Sequence, residues 1–270
     1  MTLFQAFILG IVQGATEFLP ISSSGHLVLV PHLLGWSLIP EQAFIFDVLV
    51  QFGTLFAVVT FFRKDVVAYT QGWFRALTRG KPFETWEARI GWYLILATLP
   101  AVGIGFLIKD LVENTFASVL STAWFLLGTA VLLLIGEAAG RRERDLEGIN
   151  WRDSLWIGFF QALALFPGIS RSGATITGGM TRNFKRYDAA RFGFLMALPV
   201  MLGASSLAAV DLINSSFLNE FLAPLAIGFV TSAIIGYMVI RWLMSFLTTQ
   251  PLFVFSIYCT LIGLTALFTS

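Results

Sequence analysis

The sequence predicts an all-α integral membrane protein, built as an inverted-topology repeat with six transmembrane helices and two re-entrant helical hairpins. Three observations lead there. The 270 residues are 57% hydrophobic and only 12% charged, where a soluble domain is nearer a quarter charged. A Ser-rich, Pro/Gly-broken phrase occurs twice in apolar surroundings, as FLPISSSG from Phe18 to Gly25 and as FPGISRSG from Phe166 to Gly173. Finally, fifteen of the 17 lysines and arginines fall in segments that the apolar stretches place on one face of a membrane.

The elements follow in chain order. Residues 1–13 lack the positively charged start of a secretory signal, so the N-terminus is expected to belong to the mature fold. Region 1–40 is apolar, but Pro20 and three serines would interrupt any helix through it; we expect a hairpin that enters and leaves by one face. Stretches 42–62, 88–108, 116–136, 190–210, 222–242 and 251–269 are each long and apolar enough for a helical span. Loop 63–89 has the cast of an interfacial amphipathic segment, with Trp73, Phe74 and Trp86 among cations. Region 154–180 is the second broken one. Net charge is +1, which gives no reason to expect a nucleic-acid partner, and Cys259 stands alone, so no internal disulfide forms.

Lysine and arginine set the orientation. Six of them lie in 63–89, four in 137–153, four in 181–191 and one at Arg241, while Lys109 alone falls on the opposite side and Arg171 within the second phrase. The basic loops are therefore expected in the cytoplasm. Loops 137–153 and 181–191 are then both inside, and the 27 residues of 154–180 between them are too few for two spans. They suit a re-entrant hairpin from the inside, and 1–40 one from the outside.

An offset of 148 residues aligns the two phrases: positions 10–25 and 158–173 share seven identities in sixteen without a gap, including Gly10/Gly158, Gln13/Gln161, Ser22/Ser170, Ser24/Ser172 and Gly25/Gly173. Three spans follow each phrase. Three is odd, so the second copy (149–270) inserts upside down relative to the first (1–148). Two hairpins entering from opposite faces would meet near the midplane, where irregular backbone is tolerated only if buried in protein or lining a wet cavity.

What the phrases share reads as scaffold. Gly25 and Gly173 permit a tight turn, and Ser22, Ser24, Ser170 and Ser172 can cap a helix starting after each break. The first turn of such a helix suits an anion. Gln13 and Gln161 are expected to brace their hairpins. What differs reads as chemistry. Glu17 aligns with Leu165, Ser23 with Arg171 and His26 with Ala174. Ser23 is the serine without a serine counterpart and can attack phosphorus; Glu17 or His26 can take its proton; Arg171 can clamp phosphate oxygens. Asp47, four residues before Gln51, is a further polar candidate on the next span.

At these phrases the chain resembles the undecaprenyl-diphosphate phosphatase family of bacteria, the group linked to bacitracin resistance. The resemblance runs over nearly the whole chain and is strongest in GIVQGATEFLPISSSGHL (Gly10 to Leu27) and PGISRSGATITGGM (Pro167 to Met180). It implies hydrolysis of an isoprenoid diphosphate to the monophosphate, which recycles a lipid carrier for cell-wall synthesis. It also implies the bacterial inner membrane, a site facing the periplasm, and a divalent cation, Mg2+ or Ca2+, held at Glu17 and Gln13. The family's first motif is an acid or glutamine, three residues, then an acid; here it reads Gln13–Glu17, so the diphosphate would have to supply more of the metal's coordination. Site residues implied at matching positions are Gln13, Glu17, Ser22, Ser23, His26, Ser170, Arg171 and Thr175. The expected partners are the lipid diphosphate, membrane lipids and a second copy in a homodimer. The competing class is a lipid-phosphate flippase or anion transporter, since inverted repeats with broken helices are transporter architecture.

Overall fold

The computed structural model of the chain describes residues 1–108, 111, 112, 115, 118–215 and 217–269. Among them the regular elements are α1 (Leu3–Thr16), α2 (Ser23–Leu33), α3 (Pro40–Phe61), α4 (Arg63–Thr78), α5 (Trp86–Leu107), α6 (Val119–Ala138), a 3-10 turn (Leu146–Gly148), α7 (Trp151–Leu163), α8 (Arg171–Thr181), α9 (Arg186–Ile213), α10 (Leu218–Phe246) and α11 (Phe253–Thr269). The protein is all-helical there, with one isolated bridge between Arg144 and Phe184.

Five helices are long and apolar enough to cross a membrane: α3, α5, α6, α9 and α10. The expected sixth span, 251–269, forms α11, which is apolar but only 17 residues long. Residues 116 and 117 of the third expected span, and Lys109, lie outside the described residues. The amphipathic segment is α4, with Tyr69 and Ala76 buried and Val67 and Phe74 exposed.

Both broken regions are helix pairs. Thr2 starts α1, its hydroxyl accepting from the Gln5 amide while the Gln5 side chain accepts from the Thr2 amide. Asn150 and Asp153 start α7 in the same reciprocal way. The four helices α1, α2, α7 and α8 have 14, 11, 13 and 11 residues. At about 1.5 Å per residue each falls short of the roughly 30 Å hydrocarbon core. The breaks occur where Pro20 and Gly168 stand, the latter at φ +104°.

The first helix of each pair packs on a long helix from the other half of the chain. α1 lies on α10 at Gly10, where a Cβ would stand 2.9 Å from the Gly228 carbonyl oxygen, and α7 lies on α5 at Gly158, where a Cβ would stand 2.4 Å from the Ala97 carbonyl oxygen. These glycines recur because backbones touch there.

Charges gather where α6, α7 and α8 end or begin. Asp153 is fully buried and takes Arg144 Nη2 at 2.7 Å and Arg182 Nε at 2.8 Å. Burial alone would raise its carboxyl group; the hydrogen bonds of Arg144 and Arg182, with the charge of Arg144, outweigh that and hold it below the usual carboxylate range. Glu137 receives both Nε and Nη2 of Arg186 at 2.7 and 2.5 Å, plus the Leu252 amide at 2.8 Å. Arg191 is bidentate to Asp65 at 2.9 and 2.7 Å. All these cations belong to the basic segments singled out by sequence, and much of that charge serves to tie helix ends together.

Candidate active site

The two breaks touch. Ser172 Oγ donates to the Leu19 carbonyl at 3.0 Å, and Arg171 Nη2 pairs with Glu17 Oε1. Each second helix begins with a serine cap on the following glycine: Ser22 Oγ accepts from the Gly25 amide at 3.2 Å and Ser170 Oγ from the Gly173 amide at 3.1 Å. Ser24 and Ser172 back the caps, at 3.3 and 3.0 Å from those hydroxyls. The caps expected of Ser22 and Ser170 are thus present at both breaks.

Two unshared residues, Ser23 and Arg171, and the shared Gln13 converge on Glu17, which is buried. Its Oε2 accepts from Ser23 Oγ at 2.6 Å and from Gln13 Nε2 at 2.8 Å, while Oε1 faces Arg171. A hydroxyl held this closely by a carboxylate has a proton acceptor in place, the arrangement of an activated nucleophile. Among the described residues Arg171 uses only Nη2 on a side chain, which leaves Nε and Nη1 for a ligand.

His26 stands apart from this exchange. Its Nδ1 lies 2.8 Å from the Ser22 carbonyl and its Nε2 lies 2.8 Å from the Tyr258 hydroxyl. Both ring nitrogens are occupied, so of the two bases expected for Ser23 the structure brings Glu17 to it and turns His26 elsewhere. Thr175 Oγ1 bonds the Arg171 carbonyl at 2.9 Å, steadying the turn that carries the arginine. Asp47 is half-buried on α3 and, among the described residues, forms no hydrogen bond with this set. Thr54, two turns further along α3, is 3.5 Å from Gln13 Nε2.

The two glutamines do not behave alike. Gln13 Nε2 bonds Glu17, four residues on, and reaches Thr54 of α3. Gln161 is buried with neither amide atom hydrogen-bonded among the described residues, which corrects the expectation that it braces the second hairpin. The reason is visible at the 148-residue offset: the partners Glu17 and Thr54 are replaced by Leu165 and Leu202.

Among the described residues no three His, Cys, Asp or Glu side chains cluster as a metal site. One feature does fit a hard cation. Gln13 Oε1 is buried without a hydrogen-bond partner, on the side chain that bonds Glu17. An amide oxygen and a carboxylate are oxygen ligands of the kind Mg2+ and Ca2+ take.

Sequence reasoning missed three residues that hold the breaks. Thr129 Oγ1 of α6 donates to the Gly168 carbonyl at 2.8 Å and accepts from the Ser170 amide at 2.9 Å. Tyr258 of α11 holds His26, and its neighbour Cys259 places Sγ 3.7 Å from the Pro20 carbonyl. The available signal was weak: single polar groups inside apolar spans.

Fold and site together define a multi-pass membrane protein with a serine–carboxylate–guanidinium centre where two broken helices meet. Residues 6–265 match the family described as bacitracin resistance protein BacA, and the chain belongs to that family. It is 42% identical to an undecaprenyl-diphosphatase of Chlorobium phaeovibrioides, over 98% of this chain and 95% of the relative. It is 41% identical to undecaprenyl-diphosphatase 2 of Stutzerimonas stutzeri, over 97% and 96%, and 39% identical to an undecaprenyl-diphosphatase of Myxococcus xanthus, over 97% and 87%.

Proposed function

We propose that the protein hydrolyses undecaprenyl diphosphate to undecaprenyl phosphate and inorganic phosphate, with Ser23 as nucleophile. The activity rests on family membership and on near-full-length relatives of that name. The residue roles rest on one observation, the 2.6 Å bond from Ser23 Oγ to Glu17 Oε2 beside Arg171.

The steps follow from that geometry. The diphosphate enters at the start of α2 and α8, where free amides and the helix dipoles favour an anion. Arg171 turns its fork to the terminal phosphate, which releases Glu17 Oε1 from its ion pair. Ser23 Oγ attacks the terminal phosphorus as Glu17 takes its proton, the bond to the bridging oxygen breaks, and lipid monophosphate leaves. Water then attacks the phosphoserine, Glu17 returns its proton to Ser23 Oγ, and inorganic phosphate departs carrying both hydrogens of the water. Gln13 Oε1 and Glu17 would hold a divalent cation, which would supply charge neutralisation on the diphosphate. Ser22, Ser24, Gly25, Ser170, Ser172 and Gly173 shape the anion-binding turns.

The finer architecture belongs to the same proposal: six spans with α11 as the sixth, α1–α2 and α7–α8 as re-entrant hairpins, and an inverted repeat divided at 148/149. Its support is reciprocal packing. α1 lies on α10 as α7 lies on α5, and each break is held by the last helix of the opposite half, the second by Thr129 of α6 and the first by Tyr258 and Cys259 of α11. Basic loops then face the cytoplasm of an inner membrane, with the site open to the periplasm. A homodimer would bury part of the exposed apolar surface of α10, such as Ile234 and Met238; cross-linking in native membranes checks it.

Purified protein in detergent micelles tests the function, because micelles have no second side. Phosphate release from undecaprenyl diphosphate is the expected result. Lipid translocation in vesicles without release in micelles would make the protein a flippase instead.

A further inference from the structure

Ser22 is one of three described non-glycine residues at positive φ, at φ 69° and ψ 99°. A side chain there is strained and must be held by its surroundings. The corresponding Ser170 is relaxed at φ −69° and ψ 120°. Both serines cap their helices, so the cap does not require the strained form. What differs is how the serine carbonyl is held. The Ser170 carbonyl accepts from the Ala174 amide at 2.8 Å. The Ser22 carbonyl accepts twice from His26, through the backbone amide at 3.2 Å and the ring at 2.8 Å.

A carbonyl only accepts, so Nδ1 of His26 carries the proton. In the neutral ring Nε2 is then the acceptor, and it lies 2.8 Å from the Tyr258 hydroxyl, with the two rings nearly parallel at 10°. Swapping the ring tautomer would break the bond to the Ser22 carbonyl and reverse the one to Tyr258, whose hydroxyl can donate or accept. Cys259 meets the other side of the same turn at the Pro20 carbonyl, 3.7 Å away, so adjacent residues of α11 bracket Pro20–His26. We infer that Tyr258 is a positioning residue for the phosphatase reaction: its hydroxyl locks His26 with Nδ1–H on the Ser22 carbonyl, and that bond holds the strained backbone that aims Ser23 at Glu17. The inference rests on Ser23 as nucleophile.

Tyr258→Phe removes the hydroxyl and keeps the ring. The expected result is a kcat lowered about tenfold with KM changed less than twofold, because placement of Ser23 is lost and substrate binding is not. In a His26→Ala background the same change should alter kcat less than twofold. A kcat for Tyr258→Phe within twofold of the parent, or losses that multiply in the double variant, would overturn the role. A second measurement needs no active variant. The 15N spectrum of histidine-labelled parent protein in micelles, with His26 assigned through His26→Gln, should show the Nδ1–H tautomer alone; an Nε2–H tautomer would overturn the inference even if Tyr258→Phe fails to fold. Failure of the underlying site assignment reads differently: Ser23→Ala would then turn over, whereas if only the Tyr258 role is wrong, Ser23→Ala is inactive and either the Tyr258→Phe kinetics or the parent tautomer departs from expectation.

Discussion

The two breaks carry the same cap and do different work. The cap bonds of Ser22 to Gly25 and of Ser170 to Gly173 have nearly the same length, 3.2 and 3.1 Å. Yet the first presents Ser23, Glu17 and His26, and the second presents Arg171 against Leu165 and Ala174. In the proposed reaction the symmetric pair of turns would receive the diphosphate. Only the asymmetry explains breaking its anhydride bond, which needs a nucleophile and a base on one side of phosphorus and a cation to take up charge. At its outer end the second pair, α7 and α8, is tied by Asp153 between Arg144 and Arg182. That tie makes it a platform for Arg171.

The largest loss expected from disturbing this division is at the arginine. Arg171→Lys keeps the charge but loses the planar fork that can bond phosphate bidentately. If one transition-state contact of roughly 3 kcal/mol is lost, kcat falls on the order of 10²-fold. Steady-state phosphate release measures it, and activity within about threefold of the parent would remove Arg171 from the reaction.

Next is the platform itself. Asp153→Asn leaves two arginines without their carboxylate, and removing one partner of a buried pair costs about 3 kcal/mol or somewhat less where, as here, the arginines can reach water. A lowered melting temperature in micelles is the readout. The sign with pH follows from the depressed carboxyl group. Its contribution is fully present above the unfolded value of about 3.9 and is lost as pH falls through the lower folded value. The parent should therefore lose more stability than Asp153→Asn on acidification below about pH 4.

Gln13→Glu sharpens the comparison at the metal. Activity should survive, since the family's usual acid is restored, and the midpoint for free Mg2+ should fall several-fold because a carboxylate replaces an amide ligand. An unchanged midpoint would mean position 13 does not touch the cation. The smallest effects belong to the shared scaffold: Ser24→Ala and Ser172→Ala should each cost about 1 kcal/mol or less of stability, with kcat nearly unchanged.

Much of this was legible in the sequence because its physics is local. Pro20 and the serines of 22–24 break a helix wherever they stand, and an intramembrane Arg171 or Glu17 needs a partner. The alignment at 148 residues set the residues common to both breaks apart from those unique to one. What was hidden depends on distant contacts or on backbone. Tyr258 meets His26 across 232 residues and Ser170 meets Thr129 across 41. The positive φ of Ser22 has no residue-type signature, since serine rarely adopts it. Gln161 misled because identity at an aligned position does not preserve a role once its partners have become leucines.

The assignment of Ser23 is the centre of the account, and turnover of Ser23→Ala set beside Glu17→Gln tests it most directly. Both variants would be purified in micelles, with substrate binding measured alongside phosphate release. The account predicts that Ser23→Ala abolishes turnover while binding stays nearly intact, because the loop amides and Arg171 remain. Substantial turnover by Ser23→Ala, with Glu17→Gln the worse lesion, would contradict it and make a water held by Glu17 the nucleophile.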